Sequence, residues 1–147
     1  MRFIADVMLG RLAKRLRLLG FDVLYDRTFD DNEIIRLSLE QDRVILTRDN
    51  ALSERPLAVN HLFIQDDGVR QQLHQVLTSF ALTGMSRPLT RCSECNEPLT
   101  MISRDDARDR VPRYVYERYR GFFQCEQCGR IYWRGTHLER MGLTGRS

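Results

Sequence analysis

The chain has 147 residues, of which 42% are apolar and 29% are charged, a composition that is ordinary for a soluble globular protein. No run approaches the roughly 18 uninterrupted apolar residues of a membrane span. Near the N-terminus, Asp6 stands where a signal peptide would need an apolar stretch. We therefore expect a cytoplasmic protein without a membrane partner.

The net charge of +3 is unevenly distributed. Residues 1–85 contain 11 basic and 12 acidic side chains, whereas residues 86–147 contain 12 and 8. Among the 23 basic residues only Lys14 is a lysine, and the planar guanidinium of arginine suits bidentate contacts with phosphate. Codon bias in a GC-rich genome produces the same composition, so charge alone leaves nucleic-acid binding open.

Strand patterns alternate with helix patterns in the first part of the chain. Strands are predicted at residues 2–5, 21–25, 43–47 and 61–64, and helices over residues 8–19, from residue 30 onward, and over residues 69–80. This alternation favours parallel βαβ units joined by right-handed crossovers. We predict an α/β fold with a small parallel-sheet α/β/α sandwich over residues 1–85. The periodicity then stops, and residues 86–147 are predicted to form a second domain.

All four cysteines belong to two C-x-x-C pairs, Cys92 with Cys95 and Cys125 with Cys128, and 29 residues separate the pairs. Two residues between thiolates allow a tight turn to aim both sulfurs at one ion, and two such turns complete a tetrahedral zinc site. Because four thiolates leave no open position for water or substrate, we predict that this Zn²⁺ is structural.

The surroundings of the pairs fit this interpretation. Asn96 and Gly129 follow the pairs and tolerate the left-handed backbone that such turns require. The gap exceeds the roughly 15–20 residues of a compact zinc ribbon, so a helical segment is expected within it, near residues 111–119. A redox motif or two disulfides are the alternatives, and neither explains two matched pairs in an intracellular chain.

Aspartates follow each of the four predicted strands. Because parallel strands present their carboxyl ends at one edge of the sheet, these carboxylates are expected to converge there. Converging aspartates repel one another unless a divalent cation neutralises them, as Mg²⁺ or Mn²⁺ does in phosphodiester hydrolysis. The candidates are Asp6, Asp30, Asp31, Asp49, Asp66 and Asp67. Asp30 has the alternative role of capping a helix, and Asp66 with Asp67 that of forming a turn.

Basic residues flank these acids and the second cysteine pair. The candidates for RNA binding are Arg11, Lys14, Arg15, Arg48, Arg130 and Arg134, and Arg17 shares the first helix with three of them. A phosphate backbone that enters an acidic site needs such positive flanks, but a solvated helix face has the same composition. Tyr132 and Trp133 suit base stacking or packing over the zinc turn. His137 has too little support to be predicted as a ligand or a catalyst.

Several motifs in this order resemble the Mut-seven C-terminal RNase family. They lie at residues 6–13, 16–22, 43–49 and 132–137 and at the two C-x-x-C pairs, and the resemblance covers roughly residues 2–141. It implies a PIN-like nuclease domain fused to a C-terminal zinc ribbon, RNA as the substrate, and Mg²⁺ or Mn²⁺ as the catalytic cofactor. One position departs from the expected pattern, because Arg15 stands where an aromatic side chain is expected.

The resemblance also assigns residues. It places the catalytic, ion-binding acids at Asp6, Asp31 and Asp49, and the zinc ligands at Cys92, Cys95, Cys125 and Cys128. PIN-type sites usually contain four acids, and Asp30, Asp66 and Asp67 are the candidates for the fourth.

We therefore predict a metal-dependent ribonuclease, a hydrolase that cleaves RNA phosphodiester bonds through a water activated by a divalent ion. The main alternative is a non-catalytic module, in which the zinc ribbon binds RNA, the ribosome or a protein partner and the PIN-like domain is vestigial. A phospho-receiver domain also uses aspartates at strand ends, but it normally pairs two acids after the first strand, where this chain has only Asp6. The sequence leaves the oligomeric state open.

Overall fold

The computed structural model describes residues 1–135, and Thr136 and His137 of the last motif lie outside the described residues. The N-terminal elements are β1 (Arg2–Ala5), α1 (Gly10–Leu18), β2 (Asp22–Leu24), α2 (Asp31–Gln41), β3 (Val44–Thr47), α3 (Asn50–Ser53), β4 (His61–Phe63) and α4 (Val69–Ser79). The C-terminal elements are β5 (Thr100–Ile102), α5 (Arg104–Ala107), α6 (Arg113–Arg118), β6 (Phe122–Gln124) and β7 (Ile131–Tyr132). The four predicted strands and three predicted helices of the first part are confirmed.

The first four strands form one parallel sheet in the order β2-β1-β3-β4. Side chains alternate across this sheet, as the two-residue period of a strand requires. Phe3 and Ala5 pack with α1 and α4 on one face, whereas Ile4 and Ile45 pack with α2 on the other. The predicted α/β class with a parallel sheet between helices is confirmed. As a result, all four strands point their carboxyl ends at one edge.

Local sequence signals set the start of α2 and the end of α1. The Asp30 carboxylate accepts a hydrogen bond from the backbone N–H of Glu33 at 2.8 Å and caps α2. Gly20 follows α1 with a φ of +96°, and a Cβ there would lie 2.8 Å from the Arg87 carbonyl oxygen. The positive φ and the close approach of the Arg87 backbone to the end of α1 therefore require glycine at this position.

The C-terminal part contains a three-stranded antiparallel sheet, β5-β6-β7. Helix α6 lies between the two cysteine pairs, inside the segment where the sequence predicted a helix. The small buried core of the C-terminal part contains Ala107, Val115 and Phe122. Few aliphatic residues are buried here, so other interactions must supply much of the stability.

The first cysteine turn packs against the edge of the parallel sheet. The side-chain oxygen of Asn96 accepts a hydrogen bond from the Val23 N–H at 3.0 Å, and its amide donates to Asp22 at 2.7 Å. Arg17 donates to the carbonyl oxygens of Val23 at 2.8 Å and Ser93 at 3.0 Å. The free edge of β2 is thereby covered, which prevents it from pairing with another strand. The two predicted domains are thus in direct contact, and their independence stays a prediction.

Candidate active site and metal centre

Asp6 ends β1 in a nearly buried position, with 4% of its surface exposed. One carboxylate oxygen accepts a hydrogen bond from the Val7 N–H at 2.6 Å, and the other accepts one from the Thr47 hydroxyl at 2.9 Å. Because β1 and β3 are paired neighbours, the end of β3 holds this carboxylate at the end of β1. The side chain is therefore fixed before any ligand binds.

Thr47 links Asp6 to Asp49. Its fully buried hydroxyl donates to Asp6 and accepts a hydrogen bond from the Asp49 backbone N–H at 2.9 Å. The Asp49 carboxylate in turn accepts a hydrogen bond from Ala51 at 2.9 Å and caps α3. A single hydroxyl thus sets the relative position of the two acidic residues.

Asp31 lies in the first turn of α2 and is electrostatically coupled to both acids. Partial burial and the negative charges of Asp49 and Asp6 raise the pKa of Asp31, while the nearby cation Arg55 opposes this effect. Strands β1 and β3 end, and α2 begins, at the same edge of the parallel sheet, so the three acids lie at that edge. The structure therefore brings together the predicted residues Asp6, Asp31 and Asp49, which we call the acidic rim.

The three candidates for a fourth acid differ in their surroundings. The charge of Asp30 contributes to the raised pKa of Asp31, which places it near the acidic rim, although one of its oxygens caps α2. Asp66 and Asp67 are exposed beyond β4. The backbone carbonyl of Asp66 accepts a hydrogen bond from Gln72 at 2.9 Å, so this turn has a structural role.

The chemistry of the acidic rim suits Mg²⁺ or Mn²⁺ better than a softer metal, because it offers only carboxylate oxygens. Its ligand atoms are not as close as those of a preformed cage: within residues 1–135, only the four cysteines have all ligand atoms within 4.8 Å of one another. Magnesium usually keeps several waters and binds through one or two carboxylates plus substrate phosphates. An ion at this rim would therefore bind directly to one or two of the carboxylates and reach the others through its waters.

The four cysteines form a compact cluster. Sulfurs at about 2.3 Å from a central zinc at tetrahedral angles are about 3.8 Å apart, and the Sγ atoms of Cys92 and Cys128 are separated by 3.8 Å. Asn96 and Gly129 have φ angles of 63° and 81°, the left-handed conformation predicted for both turns. The geometry fits a zinc ion held by all four thiolates.

The thiols of this cluster interact strongly with one another. Burial and hydrogen bonds with the neighbouring thiols raise the pKa of Cys95 to about 12. Burial opposes ionisation of Cys92 too, but hydrogen bonds from the Tyr132 hydroxyl and the Cys95 N–H lower its pKa below the usual value. Four such groups ionise together only around a cation, which again fits zinc.

Tyr132 packs against the cysteines. It is 8% exposed, and its hydroxyl lies 3.2 Å from the Cys92 sulfur and 3.2 Å from the Ser93 N–H, which donates to it. A buried ring with an engaged hydroxyl is not available to stack on a base. Of the two alternatives for Tyr132, packing over the cysteine turn is therefore the correct one.

The predicted RNA-binding residues have different environments. Arg11 and Lys14 line a groove of about 510 Å³ together with Tyr25 and Arg27, and Lys14 forms an ion pair with Glu94 at 3.3 Å. The half-buried Arg48 donates to the Ile64 carbonyl at 3.2 Å, which partly occupies its guanidinium. Of the remaining three candidates, Arg15 is half-buried on α1, and Arg130 and Arg134 are exposed in the C-terminal part.

Sequence patterns missed the structural role of two residues near the cysteines. Arg17 was assigned to the basic helix face, but it is 5% exposed and binds backbone carbonyls. Burial lowers the pKa of Arg17, while the nearby groups Cys92 and Glu94 oppose this change. Asn96 was predicted for its backbone only, although its side chain covers the β2 edge. No local signal reveals either contact, because the partners are more than 70 residues apart.

A comparison with models of protein families supplies independent information. The Mut7-C RNAse domain matches residues 1–144. The chain belongs to this family. The match covers essentially the whole sequence, including the parallel sheet and both cysteine pairs, so the resemblance noted above is confirmed. Searches of the curated proteins and of the solved structures returned no match.

Membership of this family suggests a nuclease-type function related to RNA. In the part of the chain that the structure describes, no helix combines the length and the apolar character needed to span a bilayer.

Proposed function

We propose that this Mut7-C domain is a metal-dependent ribonuclease that hydrolyses RNA phosphodiester bonds at the acidic rim. The observation that supports this proposal most directly is that the Thr47 hydroxyl joins Asp6 to Asp49 by hydrogen bonds at the carboxyl edge of the sheet, where the charges of these acids also raise the pKa of Asp31. Neighbouring carboxylates repel one another and destabilise the fold unless a cation neutralises their charge. Membership of an RNase family supports the inference that these acids bind a catalytic metal ion.

The acidic rim would hold Mg²⁺ or Mn²⁺, which activates a water for attack on phosphorus and stabilises negative charge on the phosphate oxygens. In this scheme, the fixed carboxylate of Asp6 and that of Asp49 provide oxygen ligands at adjacent strand ends. Asp31 completes the set, and Asp30 is the favoured fourth acid because its charge acts on Asp31. The residues thereby orient an ion, a water and a phosphate before reaction.

We also propose that the cysteine cluster binds a structural Zn²⁺. This ion would hold the two turns of the C-terminal ribbon together, and the ribbon would help to position RNA. Arg130 and Arg134 are the exposed cations on that side, whereas Arg11, Lys14 and Arg15 flank the acidic rim on α1. Arg48 would contribute next to Asp49 with the part of its guanidinium that does not contact Ile64.

Cleavage of single-stranded and structured RNA with and without added metal tests the activity. The purified protein is expected to cleave RNA with Mn²⁺ or Mg²⁺ and to stop when these ions are removed by dialysis. Dialysis is preferable to a strong chelator, which would also extract zinc from the ribbon. RNA binding without cleavage under any of these conditions would contradict the proposal and favour a binding module.

The pH dependence of Mn²⁺ affinity provides a second prediction. Metal competes with the proton for the Asp31 carboxylate, and burial and the charges of Asp49 and Asp6 raise the pKa of Asp31. Affinity measured by titration calorimetry should therefore fall with decreasing pH sooner than for an ordinary aspartate. Asp31→Asn should bind Mn²⁺ more weakly and flatten this dependence. If Asp31→Asn had the same pH dependence of Mn²⁺ affinity as the wild type, Asp31 would not be a ligand of the ion.

The Thr47 hydroxyl should matter through the two acids that it positions. Thr47→Val keeps the buried shape but removes the hydrogen bonds to Asp6 and from Asp49, so we expect activity or metal affinity to fall by about 10–100-fold. Thr47→Ser should recover most of this loss, because it restores the hydroxyl. Equal activity in Thr47→Val and the wild type, at matched thermal stability, would contradict the positioning role.

A further inference from the structure

Three arginines meet where α1 packs against α4. Arg11 and Arg15 lie one turn apart on α1 and therefore share a face of that helix. Arg70 is the second residue of α4, and apolar residues of α1 and α4 pack together beneath the surface. Because α1 and α4 pack side by side and both begin at the carboxyl edge of the sheet, their N-terminal turns bring the three cations together, and burial and the charges of Arg11 and Arg70 lower the pKa of Arg15. We call Arg11, Arg15 and Arg70 the arginine cluster.

No acid of the described chain compensates this cluster. Within residues 1–135, none of its three side chains forms an ion pair or a hydrogen bond. Arginines elsewhere do have acidic partners, such as Arg36 with Glu40 at 3.0 Å. Like charges one helical turn apart destabilise a helix. A cluster that repels itself in this way is suited to an anionic ligand.

The position of the cluster indicates which anion. Helix α1 begins four residues after Asp6, and α4 follows the carboxyl end of β4, so both helices start at the edge that carries the acidic rim. Arg11 and Arg70 lie in the first turns of these helices and are exposed, while Arg15 is half-buried one turn further away. A phosphate held here would therefore lie beside the acidic rim, on the α1 and α4 face of the sheet.

We propose that the arginine cluster binds a phosphate group of the RNA strand next to the bond that is cleaved. Planar guanidinium groups form bidentate hydrogen bonds with phosphate, and the bound phosphate cancels the repulsion among the three cations. Because both helices begin at the edge of the sheet that carries the acidic rim, a phosphate bound by the cluster would set which bond reaches the ion. This inference rests on the proposed function for its substrate, but the cluster contains none of the acids of the acidic rim and adds Arg70 on α4.

Binding of labelled single-stranded RNA, measured by fluorescence anisotropy without Mg²⁺ or Mn²⁺, tests the cluster apart from cleavage. We expect Arg70→Gln and the double variant Arg15→Gln with Arg70→Gln to weaken binding by 10-fold or more. The dependence of log affinity on log salt should lose about 0.7 in slope for each phosphate contact removed. Arg15→Lys keeps the charge but loses the planar fork, so it should bind at an intermediate level.

Arg36→Gln is the matched control. It removes the same charge from an exposed position on α2, which lies on the opposite face of the sheet, and binding should change by less than 2-fold. Because Arg70 is exposed, Arg70→Gln is expected to keep the fold, which circular dichroism and thermal denaturation verify. Equal losses in Arg36→Gln and Arg70→Gln, or no loss in the cluster variants, would overturn the proposal.

Oligonucleotides with a 5′-phosphate or a 5′-hydroxyl distinguish the two sources of the phosphate. Tighter binding of the 5′-phosphorylated RNA, with the difference lost in Arg70→Gln, indicates a terminal phosphate, whereas equal weakening of both RNAs indicates an internal phosphodiester. Failure of the two proposals is also distinguishable. If RNA binding depends on the arginine cluster but no divalent metal gives cleavage, the nuclease proposal fails. If cleavage requires metal but RNA binding is unchanged in the cluster variants, this inference fails.

Discussion

Replacement of Cys125 by serine is expected to abolish zinc binding and to unfold the C-terminal ribbon. The Cys125 sulfur is fully buried within the four-cysteine cluster, and a serine hydroxyl is a poor ligand for zinc. Binding of a structural zinc supplies about 10–16 kcal/mol in zinc-finger peptides, whereas a whole small domain is stable by about 5–15 kcal/mol. Loss of the ion therefore exceeds what the small core around Val115 and Phe122 can replace.

Zinc content and amide hydrogen exchange together measure this outcome. The wild type should contain one zinc per chain, and the variant should contain none and lose protection in β5, β6 and β7. Protection in the parallel sheet should fall less, because its core is formed by its own helices. Gln127→Ser changes an exposed non-ligand in the same turn and should retain zinc. Full zinc content and protection in Cys125→Ser would contradict the assignment.

Replacement of Asp6 by asparagine is expected to lower RNA cleavage by roughly three orders of magnitude, equivalent to about 4 kcal/mol of transition-state stabilisation. Asparagine retains the shape and an oxygen that accepts the hydrogen bond from Val7, but it loses the charge that would hold the ion. Asp49→Asn should have a similar effect. The fold should be retained, because loss of the hydrogen bond from Thr47 and removal of one source of repulsion on Asp31 change the stability in opposite directions.

Asp42→Asn is the matched control for this experiment. Asp42 is exposed at the other edge of the sheet and ends α2 with a φ of 53°, a left-handed conformation that asparagine tolerates well. Asp42→Asn removes the same charge as Asp6→Asn and should leave RNA cleavage unchanged. Activity of Asp6→Asn equal to that of Asp42→Asn would refute the proposed role of the acidic rim.

Periodic patterns predicted the parallel sheet because its central strands, β1 and β3, are buried on both faces and consist of short apolar runs. The same reasoning predicted where the acids lie, since strand ends and connections are local properties. Helix α3 was missed because its four residues, Asn50–Ser53, are too few for a period to be visible. Asp66 and Asp67 were candidates for the fourth acid only because they follow a strand, and they lie in an exposed turn. Position after a strand therefore does not distinguish a metal-binding acid from a turn residue.

By itself, the sequence determined the α/β class, the two cysteine turns and the set of candidate acids, because these depend on spacing along the chain. Only the tertiary structure decided that Thr47 joins Asp6 to Asp49, that Asn96 and Arg17 attach the first cysteine turn to β2, and that Arg70 meets Arg15. The physical reason is the same in each case. Hydrogen bonds and charge interactions act over a few ångströms in space, and their partners in this protein come from elements that are distant in sequence.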